Sequence, residues 1–317
     1  MSVSVIETIG NTPLVELRNF SVRAGGGRIL AKLENLNPGA SKKDRVALQI
    51  IEDAERTGAL QPGQTVVELT SGNTGTGLAI VCAAKKYPFV AIMSEGNSPE
   101  RADMMRAFGA EVVLVPQAPG AAVGQVSGAD LELVEAVARR IVRERNAFRA
   151  DQFHNPANFR AHYLHTGREI LRQSPYPIDL FCDFVGTGGT FAGCAAAFKE
   201  ANPATHCYIV EPSGAAVLAG QTPSHPHHRI QGGGYARPHL DLLRPKQIDG
   251  FVQVTDEAAI AATHDLARTE GIFAGYSSGA NLAAAVQLLQ LETSGKTAVV
   301  IICDSGLKYI STDLWRS

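Results

Sequence analysis

Asn37-Pro-Gly-Ala-Ser-Lys-Lys-Asp-Arg45 is a loop with proline and glycine that brings two adjacent lysines to the start of an amphipathic helix. Apolar residues at 46, 47, 50, 51 and 54 recur at helical spacing, which predicts Ser41 at or near the N-cap. The positive end of a helix dipole lowers the pKa of a nearby ammonium group, and Schiff-base chemistry requires a neutral amine. Taken alone, however, the stretch favours two solvated surface lysines.

Short β-branched runs alternate with longer helical patterns from residue 28 onward. The predicted strands are 28–33, 65–69, 89–93, 111–115, 178–185, 205–211, 251–254 and 297–303. The predicted helices are 44–57, 76–86, 99–108, 131–145, 160–173, 190–201, 256–270 and 278–291. Such alternation predicts an α/β fold with parallel sheets covered on both faces. Two successive series, separated near residue 145, indicate two αβα domains with a cleft between them.

The composition is that of an ordinary globular chain. Of the 317 residues, 45% are hydrophobic and 19% charged, and the net charge is −2. This balance gives no basic surplus for nucleic acid, and no apolar run reaches membrane-spanning length. Met1–Asn11 shows no secretory signal, and the five cysteines form no CxxC pair. The cysteines are therefore predicted to be core residues of a reducing compartment, and the location to be cytoplasmic.

Two loops follow predicted strands and open predicted helices, where open α/β sheets bind ligands. Thr70-Ser-Gly-Asn-Thr-Gly75 offers hydroxyls, an amide and backbone N–H groups, which suit a carboxylate, although a plain capping turn explains it equally well. Gly186-Thr-Gly-Gly-Thr190 suits a phosphate, because glycines permit close backbone approach. A nucleotide is less favoured, since Phe191 breaks the Gly-x-Gly-x-x-Gly pattern.

Other polar clusters give weaker indications. Gly275-Tyr-Ser-Ser-Gly279 opens a helix but is not a nucleophile elbow, and a capping serine accounts for it as well. The histidines of 224–229 have no carboxylate or cysteine partner, so no metal site is predicted. His154 and His162 have no identifiable Ser or Cys partner, and no catalytic triad can be argued.

Together the motifs resemble the cysteine synthase family, fold-type II enzymes dependent on pyridoxal 5′-phosphate (PLP) that include the cystathionine β-synthases. The loop at 37–45 and the motifs at 70–75, 186–190 and 275–279 occur in that family's order. Further likeness runs through Ile9-Gly-Asn-Thr-Pro-Leu14, Gln152-Phe-His-Asn-Pro-Ala-Asn158 and Asp304-Ser-Gly-Leu-Lys-Tyr309, so it covers nearly the whole chain.

The resemblance implies a tryptophan synthase β-like fold with PLP in the cleft. It implies a large domain of 1–44 and 146–317, a small mobile domain of 45–145, and a homodimer. Carried over by position, Lys43 would bond to PLP, Asn73 would bond its 3′-oxygen, and Ser277 would face the pyridine nitrogen. The phosphate would be held by Gly186, Thr187, Gly188, Gly189 and Thr190. The substrate carboxylate would be held by Thr70, Ser71, Gly72, Thr74 and Gln152. Lys42 would occupy a variable position and point elsewhere.

The implied reaction is β-replacement on O-acetyl-L-serine or another activated serine, through an α-aminoacrylate, with sulfide giving L-cysteine. Two segments depart from the family pattern. Pro116–Asp130 is longer than the usual loop, and Gln231-Gly-Gly-Gly-Tyr-Ala236 places Tyr235 where cystathionine synthases carry a tyrosine. A different nucleophile, giving cystathionine or a 2,3-diaminopropionate derivative, therefore stays open. So do sulfide release from cysteine and a non-catalytic binding role, although a binding module has no need of Lys43.

Overall fold

The computed structural model describes residues 4–70, 72–120, 126, 128–225, 227–291 and 295–316. Its strands are β1 (Leu14–Glu16), β2 (Arg28–Leu33), β3 (Val66–Leu69), β4 (Phe89–Ser94), β5 (Glu111–Val115), β6 (Phe148–Arg149), β7 (Leu180–Phe184), β8 (His206–Pro212), β9 (Gly250–Val254) and β10 (Thr297–Ile302). Its helices are α1 (Arg18–Arg23), α2 (Lys43–Thr57), α3 (Asn73–Lys85), α4 (Pro99–Ala107), α5 (Gly128–Arg145), α6 (Pro156–Ala161), α7 (Arg168–Gln173), α8 (Gly189–Ala201), α9 (Asp256–Glu270) and α10 (Tyr276–Leu291).

The larger sheet has the strand order β1-β2-β10-β7-β8-β9. Its strands pair in parallel except β1, which runs antiparallel to β2 with Leu14 opposite Lys32. Parallel strands are covered on both faces and are therefore apolar along their length, as β7 and β10 are. Leu266 of α9 and Leu282 of α10 pack on one face, and Phe191 and Phe198 of α8 on the other.

The smaller sheet has the order β5-β4-β3-β6, with every pair parallel. Helices α2, α3 and α4 cover one face, and α5 covers the other. The α/β fold with parallel sheets is therefore confirmed. The smaller sheet takes β6 from beyond residue 145, so the predicted small domain of 45–145 would lose one of its strands. The division into two domains stays a prediction, and its second boundary fits better after Arg149.

The two sheets present their carboxyl ends to a common pocket. Lys43 follows β2, Asn73 follows β3, Gly186 follows β7 and Asp304 follows β10, and all four line this pocket. This is the position at which open α/β folds bind ligands. Within the described ranges, no helix combines the length and the apolar character needed to cross a membrane.

Several elements differ from the sequence predictions. Helix α3 begins at Asn73 instead of residue 76, because the Thr70 hydroxyl accepts hydrogen bonds from the backbone N–H groups of Gly72 and Gly75. The predicted helix 160–173 is interrupted by a π-helix over His162–Gly167. Strand β1 and helix α1 precede the predicted series. Of the predicted loop 116–130, residues 121–125 and 127 lie outside the described residues, and α5 already begins at Gly128.

Candidate active site

The loop before Lys43 is held against the segment that follows β10. The backbone N–H of Lys42 donates to the carbonyl of Cys303 at 2.9 Å, and that of Ser305 donates to Ala40 at 3.1 Å. Ser41 forms an antiparallel bridge with Asp304 between these bonds. The Ser41 hydroxyl accepts from the N–H of Lys43 at 3.2 Å, next to the predicted N-cap position. These bonds fix the backbone from which the Lys43 side chain extends.

The two residues after Lys43 anchor the first turn of α2. Arg45 Nε donates to Glu34 at 2.7 Å and its Nη1 donates to Glu169 at 2.7 Å, all three side chains being buried. The Asp44 carboxylate turns back and accepts from the N–H of Gly39. Buried charges are tolerated only when paired, so these contacts set the orientation of the helix start.

Lys43 is partly buried at the helix entrance and lines the common pocket. Burial lowers its pKa to about 8, and the positive charge of Lys42 adds to the shift. With this pKa about a tenth of the amine is unprotonated at pH 7, far more than for an ordinary lysine, and the unprotonated amine is the form that attacks a carbonyl carbon.

Lys42 does not point away from the site. It is 8% exposed, its Nζ donates to Asp183 Oδ1 at 2.9 Å and Oδ2 at 3.1 Å, and both residues line the pocket. Burial opposes the charge, but the Asp183 carboxylate raises the pKa of Lys42 above its usual value. The interpretation of Lys42 as a side chain pointing elsewhere is wrong, because a buried carboxylate on β7 draws it inward.

The segment Gly186–Thr190 turns tightly into α8. Gly188 has φ +82° and stands at the N-cap, and a Cβ on Gly186 would lie 2.6 Å from the carbonyl oxygen of Gly232. Two buried side chains hold the hydroxyls: Asn158 donates to Thr187 at 2.8 Å, and His162 of the π-helix lies 3.1 Å from Thr190. The open N–H groups of the first turn of α8 can receive a phosphate.

Asn73 belongs to a polar network built on the segment after β10. Its amide donates to Asp304 Oδ2 at 2.6 Å and accepts from Lys308 Nζ at 2.8 Å. Tyr309 donates to the same Asp304 oxygen at 2.6 Å, and Lys308 also donates to the carbonyl of Gly39 at 2.6 Å. This network fixes how Asn73 faces the pocket.

Residues 70–75, which are predicted to hold the substrate carboxylate, are called the carboxylate loop. Thr74 of this loop lines a second recess, which Lys43 also lines. Thr74 donates to Gln152 Oε1 at 2.5 Å, and Gln152 Nε2 donates to the carbonyl of Leu69 at 2.9 Å. The Thr70 hydroxyl and the turn at Gly72 stand at the N-terminus of α3. The predicted Ser71 lies outside the described residues.

Ser277, in the first turn of α10, is 7% exposed and lines the common pocket with Lys42 and Cys303. Burial raises the pKa of Cys303 to about 11, so this thiol stays protonated at neutral pH. Ser277 therefore contributes a neutral hydroxyl to the lining of this pocket.

These residues fit PLP. Lys43 has an amine of lowered pKa, and the 186–190 turn and the Ser277 hydroxyl line the same pocket, where they would suit a phosphate and a ring nitrogen. Asp304 Oδ1 and Gln231 Oε1 are buried pocket atoms that form no hydrogen bond among the described residues. Polar atoms left in this way are typical of a site that a polar ligand completes.

Sequence reasoning missed several residues of this site. Asp183, Asn158, His162, Asp304 and Lys308 were given no role, although two of their motifs were quoted. A charged residue inside an apolar strand, as Asp183 is in β7, was the available signal.

Comparison with known proteins places the chain in a family. The profile of the pyridoxal-phosphate dependent enzymes (PALP) matches residues 5–304. The chain belongs to this family, and its cofactor is PLP.

The chain is 41% identical over 313 residues to a cysteine synthase of Staphylococcus aureus, covering 98% of this chain and 96% of that one. Among solved structures it resembles O-acetyl serine sulfhydrylase isoform 3 of Entamoeba histolytica, with a TM-score of 0.90, 34% identity, and coverage of 100% and 92%. It also resembles a hydrogen sulfide-producing enzyme of Fusobacterium nucleatum, with a TM-score of 0.87, 35% identity, and coverage of 98% and 100%. The prediction of a PLP-dependent enzyme of the cysteine synthase type is confirmed.

Proposed function

We propose that the chain converts O-acetyl-L-serine and sulfide into L-cysteine and acetate by β-replacement. The observation that carries this proposal is Lys43, whose amine has a pKa of about 8 and stands between two loops suited to anions. The likeness to a cysteine synthase and to an O-acetyl serine sulfhydrylase supports the choice of product and substrate.

PLP, when bound, supplies the electron sink that stabilises negative charge on the substrate Cα. Lys43, as a neutral amine, takes the proton from Cα while the Cβ–O bond breaks and acetate leaves. The sulfur of sulfide then forms the new bond to Cβ, and Lys43 returns a proton to Cα. Atoms balance, because O-acetylserine and hydrogen sulfide give cysteine and acetic acid.

The other residues are proposed to bind and orient the substrate and the cofactor. Thr70, Ser71, Gly72, Thr74 and Gln152 are proposed to hold the substrate carboxylate, and Gly186, Thr187, Gly188, Gly189 and Thr190 the cofactor phosphate. Asn73 is proposed to bond the ring 3′-oxygen. Ser277 offers the ring nitrogen a hydroxyl instead of a carboxylate, so the nitrogen keeps no proton. This limits charge delocalisation and favours β-elimination over transamination.

Closure of the small domain over the bound carboxylate would exclude water, as in many enzymes. This step rests on the two-domain division, which we propose together with it. The homodimer and the cytoplasmic location stay predictions.

Release of sulfide from cysteine is the second candidate, favoured by the likeness to the Fusobacterium enzyme. The same residues would act, with the Cβ–S bond breaking in place of the Cβ–O bond. A different nucleophile in the second step stays open as well.

The experiment follows acetate, cysteine and sulfide separately in PLP-loaded protein. Wild type should release acetate from O-acetylserine and form cysteine with sulfide, and Lys43→Ala should lose both. Borohydride reduction should fix PLP to the peptide that contains Lys43. Lys85→Ala is the control, since this partly exposed lysine pairs with Glu55 and is not among the residues that line the common pocket. Faster sulfide release from cysteine than cysteine formation would favour the second candidate. Neither activity, with no PLP fixed, would leave only a binding role.

A further inference from the structure

A second and larger cavity lies outside the cofactor pocket, between α5 and the segments after β6 and β8. Its volume is about 580 Å³. It is lined by Leu69, Leu131, Glu132, Glu135, Arg139, Arg143, Asp151, Phe153, His154 and Arg237, and we call it the outer cleft.

The outer cleft adjoins the reacting centre. Leu69, Leu131 and Phe153 line both the outer cleft and the inner recess that contains Lys43 and Gln152. A molecule in the cleft therefore contacts side chains that also line the inner recess. Such a position suits the substrate that arrives second, after the first has filled the carboxylate loop.

Most charges of the outer cleft are already paired. Arg139 donates to Glu135 at 2.9 Å, and Asp151 lies 2.8 Å from His154 Nδ1. Two arginines of the cleft, Arg143 and Arg237, pair with no carboxylate among the described residues, and Arg143 is exposed. Arg237 is half-buried, and its guanidinium lies over the Phe153 ring, 4.6 Å from the centroid.

An arginine stacked on an aromatic ring keeps its donor edge free. The fork of N–H groups matches a carboxylate in two parallel hydrogen bonds, and the ring restricts the side chain to one orientation beforehand. Sulfide has no group that would use this fork, and it fills only a small part of 580 Å³, since a water-sized molecule occupies about 30 Å³.

We infer that the outer cleft binds a second substrate that carries a carboxylate, and that Arg237 is the residue that holds this carboxylate. The site then accepts, besides sulfide, a thiol or amine bearing an acid group. This inference rests on the proposed β-replacement and names the substrate class of its second step. With a thiol, the Cβ–O bond breaks, the Cβ–S bond forms, and the thiol proton leaves with acetate as acetic acid.

The test uses two thiols of similar size, mercaptoacetate and 2-mercaptoethanol, with O-acetylserine as the first substrate. Their products, S-carboxymethylcysteine and S-hydroxyethylcysteine, are separated by mass spectrometry. Arg237→Gln should lower kcat/KM for mercaptoacetate about 10- to 100-fold, the loss expected for a charged hydrogen bond. The values for 2-mercaptoethanol and sulfide should stay unchanged. Comparing variant with wild type for each thiol cancels the difference in thiol reactivity.

Two further variants serve as controls. Arg237→Lys retains the charge without the fork and should recover part of the loss. Such a recovery would show that the loss in the Gln variant does not come from poor folding. Arg244→Gln is the control, because this exposed arginine of the same segment donates to the carbonyls of Asp241 and Leu243 and is not among the residues that line the outer cleft.

Binding is measured separately from turnover. Calorimetry with (methylthio)acetate, an unreactive thioether with the same carboxylate, should show binding to wild type and a 10- to 100-fold weaker Kd for Arg237→Gln. Equal losses for both thiols, or equal thioether binding by both proteins, would overturn the inference while leaving β-replacement intact. Absence of acetate release would instead overturn the proposed function, and the thioether titration would still decide the role of Arg237.

Discussion

Lys42 Nζ lies 2.9 Å from Asp183 Oδ1, and both residues line the pocket that contains Lys43. Two adjacent lysines thus receive opposite environments. The carboxylate raises the pKa of Lys42 against the effect of burial, whereas burial and the Lys42 charge lower the pKa of Lys43 to about 8. Lys42 therefore stays charged, and its charge favours the neutral form of the Lys43 amine.

Replacing Lys42 should therefore change the titration of Lys43. Among the charged groups around Lys43, Lys42 lowers its pKa, and Asp183 and Asp304 raise it. Lys42→Met removes the opposing charge and should raise the pKa of Lys43 on the order of one unit. The measurement is the pH dependence of covalent PLP incorporation into apoprotein. Lys42→Arg keeps the charge and should keep the midpoint near 8. An unmoved midpoint in the Met variant would contradict the electrostatic role.

Arg45 should contribute to stability through its buried partners. Its guanidinium bonds to Glu34 and Glu169 at 2.7 Å, and Lys32 pairs with the same Glu169 at 2.7 Å. Arg45→Met leaves Glu34 buried without the arginine that it bonds to and leaves Glu169 with Lys32 alone, so the free energy of unfolding should fall by about 3–5 kcal/mol in urea titrations. Arg56→Met is the control. Its ion pair with Asp53 is exposed on the arginine side and should be worth less than about 1 kcal/mol. Similar losses of unfolding free energy in the two variants would mean that the buried ion pairs of Arg45 stabilise the fold no more than the exposed pair of Arg56.

Gly189 should be required for the phosphate turn. A Cβ at this position would lie 2.1 Å from Asn158 Oδ1, so Gly189→Ala must displace the side chain that holds the Thr187 hydroxyl. We expect PLP affinity to fall at least about tenfold, which corresponds to about 1.4 kcal/mol. Equilibrium dialysis of PLP measures it. Gly128→Ala is the matched control, because a Cβ there meets nothing within 4 Å. Unchanged PLP affinity in the Gly189 variant would argue against this turn as the phosphate site.

Sequence patterns within single segments were enough to predict much of the fold. The bounds of β5 and α9 were predicted to the residue, because charged or turn residues flank each apolar pattern. The lysine loop, the glycine turn and the Ser/Thr loop were also found from sequence, since each is a short segment at a strand end. What the family resemblance added was the register that selects Lys43 over Lys42.

Other features depend on pairs distant in sequence. Lys42 and Asp183 are 141 residues apart, and no periodicity links a lysine at a helix start to an aspartate inside an apolar strand. The π-helix at His162–Gly167 has ordinary helical composition, and the contact of its His162 with Thr190 joins residues 28 positions apart. The place of β6 in the smaller sheet has the same origin, since β6 is two residues long and is defined by its pairing with β3.

Glu68 should make stability depend on pH. It is fully buried in β3, with Arg149 Nε 3.5 Å away and the N–H of Asp151 donating to it at 2.6 Å, and burial raises its pKa to about 7. A carboxyl group whose pKa is higher in the folded state stabilises the fold below its unfolded pKa, near 4.5. That contribution is lost as pH rises through 7. From this shift the loss is about 3 kcal/mol.

Glu68→Gln removes the titration while keeping the shape of the side chain. Between pH 4.5 and 7.5 the free energy of unfolding of wild type should therefore fall by about 3 kcal/mol relative to the variant. Urea unfolding at several pH values measures this difference, which cancels the titration of all other groups. Glu111→Gln is the control, because its ion pair with Arg145 is exposed on both sides and its pKa is lowered by the hydrogen bond from that arginine. Parallel curves for wild type and Glu68→Gln would show that the buried carboxyl titrates normally.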